Sequence, residues 1–185
     1  MELTNQYLQA LEYAFHAHNG QFRKGTHTPY FSHLAAVSSL VMKFGGTETE
    51  AIAALLHDAA EDQGGEERLN DIRAKFGKVV SDIVADCSDT FEDPKPAWEI
   101  RKRRYLEHLR SVPDPVRLVS ACDKLHNIRS IVADYLQIGD EVFERFKASK
   151  ERTLWYYEQL GNEYMENGPT RIGAELLREV ERLRE

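Results

Sequence analysis

Apolar and polar positions recur along this chain with a period of about 3.6 residues, and almost nowhere with a period of two, so helices are predicted nearly throughout. Thr4 caps a first helix over about Asn5–His18, with Leu8, Leu11, Ala14 and Phe15 read as its inward side and Asn19-Gly20 as its stop. A loop, Gln21–Tyr30, leads to a second helix starting near Ser32 that buries Leu34, Val37, Leu40, Val41 and Phe44 and ends at Gly45-Gly46. Thr47 and Glu50 form a capping box for a third helix. Short helices follow over about Leu69–Phe76 and, past Gly77, on to Cys87 with Val79, Val80, Ile83 and Val84. Ser88–Pro96 is irregular. A basic helix spans Ala97–Val112, and Asp114-Pro115 opens a long one to about Ile138. The remainder reads as helix over Glu141–Met165, with a break near Ala148 left open, and over Thr170–Arg184, where Ile172, Leu176, Val180 and Leu183 form one stripe. No repeat or linker divides the chain, so the expectation is one all-α domain over residues 1–185.

The densest chemistry lies in the third helix, AALLHDAAED from Ala53 to Asp62. His57 and Asp58 end an apolar run, and residues four apart on a helix share a face, so His57 is expected over Glu61 and Asp58 over Asp62. A His-Asp pair flanked by leucines reads either as half a metal site or as a helix surfacing into solvent. The metal reading demands further nitrogen or oxygen donors elsewhere. Asp123, in the apolar run LVSACDKLHNIRS, is costly to bury unless paired or metal-bound, and Asn127 shares its face. His33 opens the second helix. Two imidazoles and two carboxylates make a mixed donor set suited to Mn²⁺, Fe²⁺, Co²⁺ or Zn²⁺ more than to Ca²⁺ or Mg²⁺. Glu61 and Asp62 are then placed to orient or deprotonate a water.

Composition narrows the setting. With 24 basic and 31 acidic residues the net charge is −7, which argues against nucleic acid as a partner but allows a locally basic pocket for a small anion. Arg23 and Lys24 on the first loop, and Arg101 with Tyr105 on the basic helix, are candidates for phosphate or base contacts. Lys147, Lys150 and one tyrosine of Trp155-Tyr156-Tyr157 are weaker ones, since basic runs are usually solvated and aromatic clusters usually core. Cys87 and Cys122 read as buried free thiols. The N-terminus lacks a basic, apolar leader and no stretch reaches about 18 apolar residues, so a soluble cytoplasmic protein with no membrane partner is expected. Oligomeric state is open.

Taken together, Arg23-Lys24-Gly25, Pro29-Tyr30 with His33, the block His57-Asp58-Ala59-Ala60-Glu61-Asp62, and the block Asp123-Lys124-Leu125-His126-Asn127-Ile128-Arg129 resemble the HD-domain phosphohydrolases. Order and spacing over about Leu8–Ile131 are most similar to the hydrolase domain of the RelA/SpoT-homologue family and its stand-alone small alarmone hydrolases. Leu34 stands where that family usually has Pro, and Gly25–Thr28 differs from its usual short Ser-Gly run. The resemblance implies one Mn²⁺ on His33, His57, Asp58 and Asp123, and Glu61 and Asp62 as the catalytic acidic pair. It also implies Arg23 and Lys24 as base-side contacts and Lys124 and Asn127 as ribose or phosphate contacts. The implied reaction removes pyrophosphate from the 3′ position of (p)ppGpp or (p)ppApp. Two alternatives stay open: a nucleotide phosphomonoesterase, NADPH 2′-phosphatase included, and a non-catalytic nucleotide-binding module.

Overall fold

A computed structural model describes residues 2–90, 92 and 94–185 and is helical almost from end to end. The elements are α1 (Asn5–Ala17), α2 (Phe31–Lys43), α3 (Glu48–Leu56), α4 (Ala59–Asp62), α5 (Gly65–Phe76), α6 (Lys78–Cys87), α7 (Trp98–Leu109), α8 (Asp114–Ile138), a 3₁₀ turn (Gly139–Arg145), α9 (Lys150–Asn167) and α10 (Thr170–Arg184). The all-α expectation holds among the described residues, where the one extended contact is an isolated bridge between Phe22 and Pro29.

The fold is built round α3. Ala51, Ile52, Ala53, Ala54, Leu55 and Leu56 are all buried, and a helix apolar on every side must be enclosed. α1, α2, α6 and α8 enclose it. Its start is fixed as the sequence promised: the Thr47 N–H donates to Glu50 Oε2 at 2.6 Å while Glu50 N–H returns to Thr47 Oγ1. The second spine is α8, which packs against α2, α3, α6, α9 and α10 and carries Asp123 at mid-length. Because α2 contacts both spines, its first turn brings His33 to the level where α3 ends and Asp123 projects.

Several expectations need correcting. Leu8, Phe15 and Val79 are 61%, 50% and 61% exposed, not inward. In α1 the buried side is set by Ala10 and Ala14, small residues that let the helix lie close to α3, which rotates Leu8 and Phe15 to the edge. The third helix does not run unbroken to Asp62: α3 stops at Leu56 and α4 starts at Ala59, although Asp62 N–H still reaches Asp58 O at 2.9 Å. The stretch expected as helix over Glu141–Met165 begins as a 3₁₀ turn to Arg145 and resumes as α9 at Lys150, so the break near Ala148 is present. α9 and α10 approach through glycines. A Cβ on Gly161 would come within 2.6 Å of Leu177, and one on Gly173 within 3.0 Å of the Gly161 carbonyl. Cys87 and Cys122 are buried free thiols. No helix among the described residues is long and apolar enough to cross a membrane.

Candidate active site

The start of α2, the turn after α3 and the middle of α8 meet at a cluster of two imidazoles and two carboxylates. His57 Nε2 lies 2.9 Å from Asp58 Oδ2 and 3.5 Å from Asp123 Oδ1. His33 Nε2 lies 3.6 Å from Asp58 Oδ2 and 3.2 Å from Asp123 Oδ1. His33, His57 and Asp58 each offer a donor atom within 4.8 Å of the others, as a common ion requires. Both Nε2 atoms are buried with no hydrogen-bond partner. Buried polar atoms are rarely left so, and each orphan faces a carboxylate rather than a protein donor.

The remaining ring nitrogens explain the orientation. His57 Nδ1 is 2.8 Å from the Ala54 carbonyl and donates to it, which leaves Nε2 facing the carboxylates. His33 Nδ1 is 2.8 Å from His126 Nδ1. The carboxylates are held as well. Tyr30 donates to Asp58 Oδ2 at 2.6 Å, and Asn127 Nδ2 donates to Asp123 Oδ1 at 2.6 Å. Lys124 Nζ reaches Asp123 Oδ2 at 2.5 Å. Arg23 donates to Asn127 Oδ1 at 2.7 Å, linking the first loop to α8. Outer partners of this kind fix metal ligands in place.

Electrostatics point the same way. Burial pushes the Asp58 carboxyl up, but His57 and His33 outweigh it and hold its pKa well below the usual range. Burial also opposes ionisation of Asp123, yet Lys124 and then the two histidines hold it ionised. Burial lowers the pKa of His57, while Asp58 and Asp123 more than reverse that. Two anions in a dry pocket call for a cation: without a metal the proton held on His57 supplies it, and a bound metal would take the place of that proton. Donor atoms about 2.1 Å from one ion at ordinary ligand angles sit roughly 3.0–3.5 Å apart, close to the spacings between these nitrogens and oxygens. The donor set therefore fits a divalent metal.

The acidic pair follows on α4, and its two members are held by different neighbours. Glu61 Oε1 pairs with Lys95 at 2.8 Å and Oε2 accepts the Asp89 N–H at 2.8 Å. Asp62 accepts from Gln21 Nε2 at 2.8 Å, and burial, followed by the charge of Asp58, raises its pKa. Next to the cluster opens a cavity of about 550 Å³ lined by Arg23, Lys24, Tyr30, His126, Asn127 and Phe146. Its rim is the first loop, cinched by Arg23 N–H to Thr28 O at 2.8 Å and Tyr30 N–H to Gln21 O at 2.9 Å. Gly25 turns that loop with φ +71°, and a Cβ there would meet Arg145 at 2.5 Å.

Of the other candidates, Arg23, Lys24 and Asn127 line this cavity, and Lys124 lines a smaller recess that adjoins it. Two candidates do not. Tyr105 is turned into the core, where its hydroxyl shares a 2.7 Å hydrogen bond with Ser120, and it lines neither this cavity nor the recess beyond it. Arg101 lines neither as well: it pairs with Asp89 and donates to the Pro96 carbonyl. Tyr30, His126 and Lys102, to which the sequence assigned no role, also stand here, together with Tyr156 from the candidate aromatic cluster. Tyr30 and His126 orient ligands, and Lys102 and Tyr156 line a second, smaller recess. His126 sits one turn from Asp123, which was the available signal.

Known proteins match this arrangement. A family model described as "HD domain" matches residues 10–152. The chain is similar to the guanosine-3′,5′-bis(diphosphate) 3′-pyrophosphohydrolase MESH1 of Xenopus tropicalis, 31% identical over 157 residues covering 77% of this chain and 85% of that one. The human protein of the same name is 32% identical over 129 residues, 68% of this chain and 69% of its own. A solved structure of a metazoan orthologue of SpoT, said to hydrolyse ppGpp, superposes with a TM-score of 0.74 at 25% identity, covering 99% of this chain and 96% of that one. A Listeria monocytogenes structure superposes with a TM-score of 0.69 at 31% identity, covering 80% and 96%. On this evidence of sequence, fold and clustered ligands, the chain belongs to the HD-domain family, alongside the stand-alone MESH1-type hydrolases.

Proposed function

We propose that this protein is a manganese-dependent 3′-pyrophosphohydrolase of nucleoside 3′,5′-bis(diphosphates), with guanine or adenine as the base. The observation that carries the reading is the pair of buried, unpartnered Nε2 atoms of His33 and His57 facing Asp58 and Asp123. These four side chains would hold the ion. When bound, such an ion neutralises phosphate charge and eases the ionisation of water.

The chain's own groups supply the rest. The cavity of about 550 Å³ is of a size to take a nucleoside. Arg23 and Lys24 lie over aromatic rings, Tyr30 at 5.7 Å and Phe146 at 5.8 Å, and present planar or charged contacts to base and ribose. Asn127, tied to both Arg23 and Asp123, sets the ribose relative to the ligand cluster. Glu61, fixed by Lys95 and the Asp89 amide, orients the attacking water, and Asp62, with its raised pKa, takes up a proton. The water oxygen bonds to the phosphorus carried on the ribose 3′ oxygen, the bond from that phosphorus to the 3′ oxygen breaks, and the ribose oxygen gains a proton. Pyrophosphate departs intact.

The test is product analysis. Manganese-loaded protein is incubated with guanosine 3′,5′-bis(diphosphate) and with its adenosine counterpart, and products are resolved by ion exchange. Equal amounts of pyrophosphate and nucleoside 5′-diphosphate from at least one substrate are expected. Release of orthophosphate, or turnover of neither, would overturn the reading.

A further inference from the structure

One buried histidine stands outside the ligand cluster. His18 ends α1 and is 2% exposed. Its ring stacks on Tyr30, with centroids 5.3 Å apart and planes 18° apart. Its Nδ1 lies 2.7 Å from Gln21 Oε1, and its Nε2 is buried with no hydrogen-bond partner. Burial lowers its pKa, so the ring is neutral at pH 7. The neighbours fix its tautomer. Gln21 Nε2 donates to Asp62 Oδ2 at 2.8 Å, which settles which end of the Gln21 amide is oxygen. That oxygen also accepts from Gln63 Nε2 at 2.7 Å. An amide oxygen only accepts, so His18 Nδ1 carries the hydrogen and Nε2 is left a bare lone pair. A buried acceptor without a partner costs stability. Phenylalanine would stack on Tyr30 and bury no such atom. What histidine adds here is the one hydrogen bond it donates to Gln21.

Gln21 is held along its whole length. Its N–H donates to His18 O at 3.0 Å, its carbonyl accepts from Tyr30 N–H at 2.9 Å, and its side-chain oxygen takes the two bonds from His18 and Gln63. With main chain and amide both fixed, Nε2 points one way, at Asp62. Among the described residues no other group bonds that carboxylate, whereas Glu61 is held by Lys95 and the Asp89 amide. We propose that His18 and Gln21 are positioning residues for Asp62: His18 locks the Gln21 amide, and Gln21 holds the carboxylate in the orientation from which it takes up the proton released by the attacking water. This rests on the hydrolase reading above. Neither residue lines the nucleoside cavity, so their effect should fall on kcat and spare KM.

The test is steady-state kinetics of the manganese-loaded protein with whichever bis(diphosphate) the wild type turns over. Gln21→Met should lower kcat roughly tenfold, the loss of a hydrogen bond to a charged group, and His18→Phe about fivefold, the loss of a neutral one. KM should stay as in wild type for both. His18→Asn, whose side-chain N–H stands where Nδ1 stood, should recover most of the loss. In an Asp62→Asn background neither substitution should lower kcat further, because the group they hold no longer takes up a proton. Wild-type kcat in Gln21→Met, or losses that add to that of Asp62→Asn, would overturn the proposal. So would a raised KM and a lowered melting temperature with His18→Asn no better than His18→Phe, the pattern of a merely structural ring. Should the wild type turn over neither nucleotide, the hydrolase reading falls. Crystal structures of wild type and Gln21→Met then still decide the geometry: an Asp62 carboxylate that leaves its wild-type orientation supports the hold, and one that keeps it removes the hold.

Discussion

His33 and His126 face each other through their Nδ1 atoms, 2.8 Å apart. One must donate and the other accept. Burial, with the nearby His33 and Arg23, holds the His126 pKa down to about 4, so His126 is neutral and can accept. His33 Nδ1 then carries the hydrogen, and its Nε2 faces Asp58 and Asp123. His126→Phe should weaken Mn²⁺ affinity by about 10–100-fold, the usual cost of losing an outer partner, with His126→Gln recovering part of it. Calorimetric titration at neutral pH measures this. Equal affinity in wild type and His126→Phe would mean the pair has no orienting role.

The same histidine predicts an acid limit to stability. Its folded pKa, about 4, lies below the usual 6.5, so between those values the unfolded chain binds more protons than the folded one. Stability is therefore lost as pH falls through that window. Urea melts of metal-free protein at pH 7 and pH 5 should show a larger loss for wild type than for His126→Gln. Parallel losses would contradict the assignment.

Gly25 sets the loop that presents Arg23 and Lys24. A side chain there meets both a positive φ, worth about 1–2 kcal/mol, and the Arg145 stem. Gly25→Ala should lower stability by about that much and raise KM several-fold with kcat less affected, as steady-state kinetics and melts would report. An unaltered KM would show that the loop does not set nucleotide affinity.

Tyr105 tests the border between site and core. Its hydroxyl heads a chain through Ser120 to Tyr164, each link 2.7 Å. Tyr105→Phe should cost about 1 kcal/mol of stability and leave kcat/KM as in wild type. A large kinetic effect with no loss of stability would return Tyr105 to the site.

These cases show what a sequence of this kind reveals. Thr47 with Glu50 and Gly139 bound helices through local backbone chemistry, and each does so in the structure, whereas Asp114-Pro115 opens α8 one residue earlier than a cap at Asp114 implies, with Pro113 as the N-cap and no side-chain cap. His57, Asp58 and Asp123 stood out because charge inside an apolar run is unaffordable without a partner, whichever helices supply it. What stayed hidden depends on neighbours far along the chain. Lys102 and Tyr105 sit on one helix among many bases, and only the arrival of α9 decides which of them borders a cavity. Leu8 and Phe15 fit an apolar stripe, but Ala10 and Ala14 win the interface because they allow closer approach to α3.

The central claim is that His33, His57, Asp58 and Asp123 share one divalent ion. Metal analysis after equilibration with Mn²⁺ and gel filtration addresses it directly, with circular dichroism as the check on folding. Wild type should retain about one ion per chain, and the alanine variant at each of the four positions should lose it while staying helical. Retention of manganese at wild-type affinity in any folded variant of the four would contradict the claim.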